Sequence, residues 1–212
     1  RSYTKLMADY RRAGVTRFSV LTEREGFKGS LQDLYALKKE HPHCGFLRKD
    51  FLFCEEDIAH AYQAGADAVL LIAEILDDAL LTRLLINAHR FGLQVLCEVH
   101  SLDSLQRVLA LPVLPDAIGI NARDLKTFAM HQDQPLRLRA YIPEHIPVVY
   151  ESGVGHPYLM ELIGNARFTA ALIGEAVVKS PQRVGLIRDF TRAFQRGAKQ
   201  QANFLTQLYA RR

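Results

Sequence analysis

The sequence predicts an α/β fold of the TIM (β/α)8-barrel type, with seven of the eight strands inside the chain. Three observations carry this. Helix-like segments end in glycine and lead at once into apolar runs: Ala13-Gly14 before 15–21, Ala64-Gly65 before 66–72 and Phe91-Gly92 before 93–97. Glycine takes the left-handed conformation that closes a helix, so each pair marks a helix-to-strand junction. Adjacent apolar runs start roughly 22–31 residues apart, room for one strand and one helix. The runs are almost unbroken in Val, Ile and Leu, as parallel strands covered on both faces are.

Taken in order, a leading helix spans 3–13 and the first strand 15–21. A helix follows over 31–37, with Leu31, Leu34, Tyr35 and Leu37 at helical spacing. The next strands are 44–47 and 66–72. The helix of 77–91 repeats Leu80, Leu81, Leu84, Leu85 and Ala88 along one face. Strands at 93–97, 117–120, 147–150 and 169–173 complete the series. Ser30, Asp77 and Ser101 stand where helix N-caps belong. The barrel domain is expected over 1–196. Residues 197–212 read as a basic helical extension with Phe204, Leu205, Leu208 and Tyr209 on one side. Seven strand–helix units behind an orphan leading helix place the start of the chain, Arg1 rather than Met, just after the first barrel strand. An open doubly wound sheet is the alternative, but no G-x-G-x-x-G follows the first strand.

Composition narrows the function classes. The 212 residues are 49% hydrophobic and 24% charged, too apolar for a disordered chain and enough for a sizeable core. No apolar run is long enough to span a bilayer, and no signal-peptide pattern opens the chain. Neither membrane nor nucleic acid is expected as a partner. The net charge of +4 is uneven: residues 183–212 hold seven basic side chains against Asp189, net +6, leaving −2 for the rest. Aromatics do not interleave with those charges as a nucleic-acid platform requires, so a solvated helix face is favoured. Three cysteines, Cys44, Cys54 and Cys97, lack paired spacing, which fits a reducing cytoplasm. The eight histidines form no metal-ligand pattern, and neither metal nor cofactor is expected.

In a barrel of this type the loops after the strands' C-terminal ends build the site. The expected strand ends are rich in polar groups: Thr22-Glu23, Arg48-Lys49-Asp50, Glu98-Val99-His100, Asn121-Ala122-Arg123, Glu151-Ser152-Gly153 and Gly174-Glu175. Ionisable groups recurring at these ends make a site hypothesis; the alternative is a set of rim ion pairs, such as Lys49–Glu98, that only hold the strands in register. A partly desolvated Lys is suited to act as a general acid and a Glu two strands away as a general base. Asn121 and Arg123 offer donors for a carboxylate. Ser152-Gly153 and Gly174-Glu175 offer the small residues and backbone N–H groups of a phosphate cradle. The expected ligand is a small molecule bearing a phosphate and a carboxylate. His100 is read as a rim residue with a satisfied hydrogen bond, and Ser152 lies outside any nucleophile elbow.

These stretches resemble the indole-3-glycerol phosphate synthase family. The resemblance rests on Ser19-Val20-Leu21-Thr22-Glu23, Phe27-Lys28-Gly29-Ser30-Leu31, Leu47-Arg48-Lys49-Asp50-Phe51, Ala64-Gly65-Ala66-Asp67-Ala68, Glu98-Val99-His100, Ile118-Gly119-Ile120-Asn121, Leu125-Lys126-Thr127-Phe128, Glu151-Ser152-Gly153 and Leu172-Ile173-Gly174-Glu175, in the family's order. It implies a ribulose-phosphate-binding barrel in tryptophan biosynthesis: a carboxy-lyase that closes the indole ring of 1-(2-carboxyphenylamino)-1-deoxyribulose 5-phosphate with loss of CO2 and water. Carried over, Lys49 is the general acid for the departing hydroxyl and Glu98 the general base. Asn121 and Glu151 bind and orient substrate, while Arg123 is the carboxylate donor read from its own chemistry. Ser152, Gly153, Gly174 and the Glu175 backbone hold the phosphate, and Phe27 and Phe51 pack on the aromatic ring. Fusion to, or association with, other tryptophan-pathway enzymes is a further expectation.

The chain departs from the family pattern in three places. The Glu-x-Lys and Ser-Pro-Ser motifs of the family's first strand are absent, Gly26 precedes Phe27 where the family has an aromatic pair, and the Asn-Asn-Arg of the family's sixth strand reads Asn121-Ala122-Arg123. Two other functions stay open on sequence alone. One is a non-catalytic truncated relative that binds a phosphorylated ligand or a partner protein. The other is a phosphoribosylanthranilate isomerase, against which Lys49 with Glu98 argues.

Overall fold

A computed structural model describes residues 3–124 and 127–209, with side chains through residue 202. Strands and helices alternate after a leading helix. They are α1 (Tyr3–Arg12), β1 (Arg17–Leu21), α2 (Leu31–Glu40), β2 (Gly45–Lys49), α3 (Glu55–Gln63), β3 (Ala68–Ile72), α4 (Asp78–Arg90), β4 (Gln94–Val99) and α5 (Leu102–Leu109). Then come β5 (Ala117–Asn121), α6 (Gln134–Leu138), β6 (Val148–Glu151), α7 (Pro157–Asn165), β7 (Ala170–Leu172), α8 (Glu175–Lys179) and α9 (Arg183–Tyr209). The strands form one seven-stranded sheet in chain order. The ladders β1–β2, β2–β3, β3–β4 and β6–β7 are parallel. This is the strand order and alternation of the (β/α) barrel class, as expected.

The local signals act as anticipated. Ser30 accepts the N–H of Asp33, Asp77 that of Leu80, and Ser101 that of Ser104, each capping the helix it precedes. On α4, Leu81, Leu84, Leu85 and Ala88 are all buried. On α2 the buried face is Leu34 and Leu37, whereas Tyr35, which the spacing puts on the apolar side, is 55% exposed. The short helix has room for one buried stripe only, and the tyrosine ring lies at its margin.

Register is fixed by a repeated device. Asp67, just before β3, accepts the N–H of Phe46 on β2 at 2.8 Å. Asp116, just before β5, accepts that of Val95 on β4 at 2.8 Å. Thr169, just before β7, accepts that of Val148 on β6 at 3.1 Å. Each side-chain oxygen meets a strand-opening donor that the ladder leaves over, which pins the parallel alignment.

The chain divides into two compact units, Thr16–Gly119 and Arg1–Val15 with Ile120–Arg212. The core of the first is the paired faces of β1–β4 and the buried stripes of α2–α5, with Phe46, Val69, Leu71 and Cys97 at or below 1% exposure. In the second, α9 packs on α7. Backbone meets backbone there: a Cβ on Gly197 would strike the carbonyl oxygen of Glu161 and lie 2.7 Å from the Asn165 nitrogen. Asp9 on α1 pairs with Arg183 at the start of α9 at 2.9 Å. The helix α9 runs unbroken through the expected boundary at 196/197. The side chains of Phe204, Leu205, Leu208 and Tyr209 lie outside the described residues, as do Leu125 and Lys126. No described helix is long and apolar enough to cross a membrane.

Candidate active site

The site residues fall into two groups, one in each unit. In the unit Thr16–Gly119, strand alternation separates neighbours on β2. Arg48 turns to one face and Lys49 to the other. Arg48, 5% exposed, donates to Thr22 Oγ1 (3.1 Å), to the Asp57 carbonyl (2.6 Å) and to Asp50 Oδ2 (2.9 Å). Thr22 donates to the same Asp50 oxygen at 2.6 Å. This network ties the ends of β1 and β2 to the first turn of α3 and fixes the backbone on both sides of Lys49.

Lys49 donates from Nζ to Glu98 Oε2 at 3.1 Å, and the Glu98 side chain is only 1% exposed. The rim ion pair foreseen from the sequence therefore exists, between the two side chains singled out as acid and base. The other Glu98 oxygen, Oε1, lies 3.2 Å from His100 Nε2. His100 Nδ1 lies 3.0 Å from Glu74 Oε2, and the His100 backbone N–H donates to Glu74 Oε1 at 2.6 Å. Burial of the ring opposes protonation, but hydrogen bonds to Glu74 and Glu98 and their charges outweigh it. The imidazole is pushed up to about 9. Burial also penalises charge on Glu74, yet His100 and Ser104 hold its carboxyl below the ordinary range.

Glu74 was not anticipated. It follows Ile72-Ala73 at the end of β3, the one strand end left out of the sequence reading, and reading that end would have found it. Phe27 and Phe51 follow β1 and β2 and are 48% and 39% exposed, open faces for an apolar ligand surface. The Phe27 loop is shaped by Glu23, whose carboxylate accepts the N–H groups of Glu25, Gly26 and Phe27 at 2.7, 2.8 and 2.7 Å. The Phe27 N–H does most to hold this carboxyl below its ordinary value.

In the other unit, Asn121 ends β5 buried, its Oδ1 accepting the Arg123 N–H at 3.0 Å. Arg123 reaches Glu175 at 3.9 Å, and Glu175 also accepts from Lys179 at 2.6 Å. The Lys179 contact is the larger cause of that carboxyl's lowered value. Glu151 ends β6 at 1% exposure, and its carbonyl accepts the Ala122 N–H at 2.8 Å. Ser152 and Gly153 both take positive φ, 70° and 73°, which curls the backbone after β6. A Cβ on Gly153 would meet Met130 Cε, the movable end of a flexible side chain, so the positive φ is what calls for glycine there. Gln132 donates to the Gly153 carbonyl at 2.9 Å and Tyr150 to the Gln132 carbonyl at 2.9 Å, so the segment around 130–132 is tied to the end of β6. Gly174 precedes α8 with open space where a side chain would be. Curled backbone and small residues leave N–H groups available to an anion. Among the described residues no group of His, Cys, Asp and Glu is arranged to hold a metal ion.

Residues 2–190 match the family model described as indole-3-glycerol phosphate synthase. The chain is 39% identical over 187 residues to an indole-3-glycerol phosphate synthase of a Nocardioides strain, covering 88% of this chain and 71% of that protein. It is 35% identical over 193 residues to the enzyme of the same name from Bacteroides thetaiotaomicron, covering 90% and 72%. Among solved structures it is similar in fold to 3-hexulose-6-phosphate synthase from Salmonella typhimurium, with TM-score 0.76 at 15% identity, covering 92% of this chain and 94% of that one.

Proposed function

The chain belongs to the indole-3-glycerol phosphate synthase family, and from that premise we propose that Lys49 and Glu98 run its ring-closing chemistry as general acid and general base. The substrate is 1-(2-carboxyphenylamino)-1-deoxyribulose 5-phosphate. A carbon–carbon bond closes the five-membered ring, CO2 leaves, and loss of water gives the indole. The observation that carries the assignment is the Lys49–Glu98 contact at 3.1 Å, made by a carboxylate 1% exposed and an ammonium 24% exposed. A largely buried ammonium at a strand end supports its role as donor of a proton to the departing hydroxyl. The buried carboxylate beside it supports the role of base for the ring proton whose loss restores aromaticity.

The remaining groups bind. Phe27 and Phe51 present exposed rings to the anthranilate ring. Asn121, Arg123 and Glu151 orient the substrate, and the Arg123 guanidinium exchanges its long contact with Glu175 for the substrate carboxylate. The curled Ser152-Gly153 backbone and the Gly174-Glu175 turn hold the phosphate. Cytoplasmic residence fits the three cysteines, none of which is joined in a disulfide among the described residues.

The test is turnover of that substrate by the full chain, followed by indole fluorescence. Lys49→Ala and Glu98→Gln should each lower kcat by roughly 10²–10⁴-fold, the scale of a lost acid or base, with KM changed far less. Melting temperature measured alongside separates chemistry from folding. If the pair merely clamps β2 to β4, the variants melt early but turn over normally, and the assignment fails.

A further inference from the structure

Four ionisable side chains alternate in sign along one line in the unit Thr16–Gly119. Lys49 meets Glu98 at 3.1 Å, Glu98 meets His100 at 3.2 Å, and His100 meets Glu74 at 3.0 Å. Each Glu98 oxygen has its own cationic neighbour. Glu74 grips His100 twice, at the ring Nδ1 and at the backbone N–H. The side chain is 9% exposed, and each ring nitrogen faces a carboxylate oxygen, Nδ1 that of Glu74 and Nε2 that of Glu98.

We propose that His100 is a positioning residue for Glu98: as an imidazolium anchored by Glu74, it holds one Glu98 oxygen and leaves the other directed at Lys49. The inference rests on the reading of Glu98 as the base. With His100 protonated the line holds two charges of each sign and is balanced. With His100 neutral, Glu98 keeps Lys49 alone, and that ammonium must also serve as the acid. The second cation keeps Glu98 ionised and oriented after Lys49 has given up its proton. The charged groups facing the imidazole are Glu74, after β3, and Glu98, on β4. Lys49 on β2 acts through Glu98. From α5, Ser104 bonds Glu74, while Arg107 is turned to Asp78 and to the carbonyls of Ala73 and Leu76.

The experiment combines substrate turnover with ¹H–¹⁵N imidazole NMR on the full chain. In the unsubstituted protein the His100 ring should titrate near pH 9, and Glu74→Gln should move that midpoint down by at least one pH unit. His100→Gln should lower kcat by roughly 10–100-fold with KM within about threefold, and shift the acid limb of the kcat profile upward as Glu98 loses its second cation. Glu74→Gln should do the same more weakly, and the double variant should be no worse than His100→Gln. A His100 ring titrating near 6.5, or an acid limb unmoved in both variants, overturns the proposal. A ring with only a packing role would lower stability without moving that limb. Should His100→Gln not fold, the Glu74→Gln profile and the ring titration decide. Absent turnover in the unsubstituted chain strikes the synthase reading instead, and the substrate-free titration tells the two failures apart.

Discussion

A carboxylate as enclosed as Glu98 stays charged only where neighbours compensate it, and the compensation here is shared between an ammonium and an imidazolium. The consequence extends to stability. The His100 ring is raised from 6.5 to about 9, so the folded protein holds this proton more tightly than the unfolded chain does. The stabilisation is fully present below the unfolded value, fades as pH rises from about 6.5, and is gone above about 9. The unfolding free energy from urea titrations between pH 6 and 10 should therefore fall with rising pH, by at most about 3 kcal/mol from this ring alone. His100→Gln should remove that component of the slope; parallel curves for the two proteins would show the ring is not held protonated. Lys49, Glu98 and His100 are all legible as residues near strand ends, because the apolar runs stop just short of each. Their linkage through Glu74 is not, since it joins positions 74 and 100 across two strands, and no local pattern marks a carboxylate that serves a partner on another strand.

At the level of single elements, the helix starts are the most legible features. Ser30, Asp77 and Ser101 work through bonds three residues away, so sequence spacing contains the whole interaction. Strand ends are less so. The apolar runs stop at Leu47, Cys97 and Tyr150, yet β2, β4 and β6 continue to Lys49, Val99 and Glu151. Lys49 and Glu98 extend β2 and β4 because they satisfy each other across the sheet, a gain that propensity does not contain. The α7–α9 contact is likewise hidden, since Gly197 in a helical pattern looks like a weakness. Its use is steric: the α7 backbone occupies the space a methyl group would need. Gly197→Ala should force the helices apart and cost about 3 kcal/mol, the upper range for overpacking, although alanine is the better helix former. Chemical denaturation measures it. A stabilised variant would show that the two helices separate without penalty.

Across the whole molecule, sequence order and compactness diverge. One unit is continuous, Thr16–Gly119, while the other joins the leading residues to everything after β5. The alternating pattern reveals seven strands and their covering helices, but a pattern read locally carries no sign that α1 belongs with α9, more than 170 positions away. The link is electrostatic and partly enclosed. Asp9 and Arg183 are 14% and 19% exposed at 2.9 Å, and Arg188 donates to the Arg12 carbonyl at 3.0 Å. Much of the basic excess of the last thirty residues lies on α9, and this end of it is engaged with α1 rather than solvated. An ion pair so placed sets local stability more than an exposed one does. Asp9→Asn keeps the shape and removes the charge, leaving Arg183 without its carboxylate. Hydrogen exchange should then quicken by about tenfold in α1 and in the first turns of α9, the scale of a lost contact worth 1.4 kcal/mol. Amides of β1–β4 should keep their protection, because their hydrogen bonds and core belong to the other unit. Equal acceleration in both units would mean that the chain opens as one cooperative body, and the local role given to Asp9 and Arg183 would not stand.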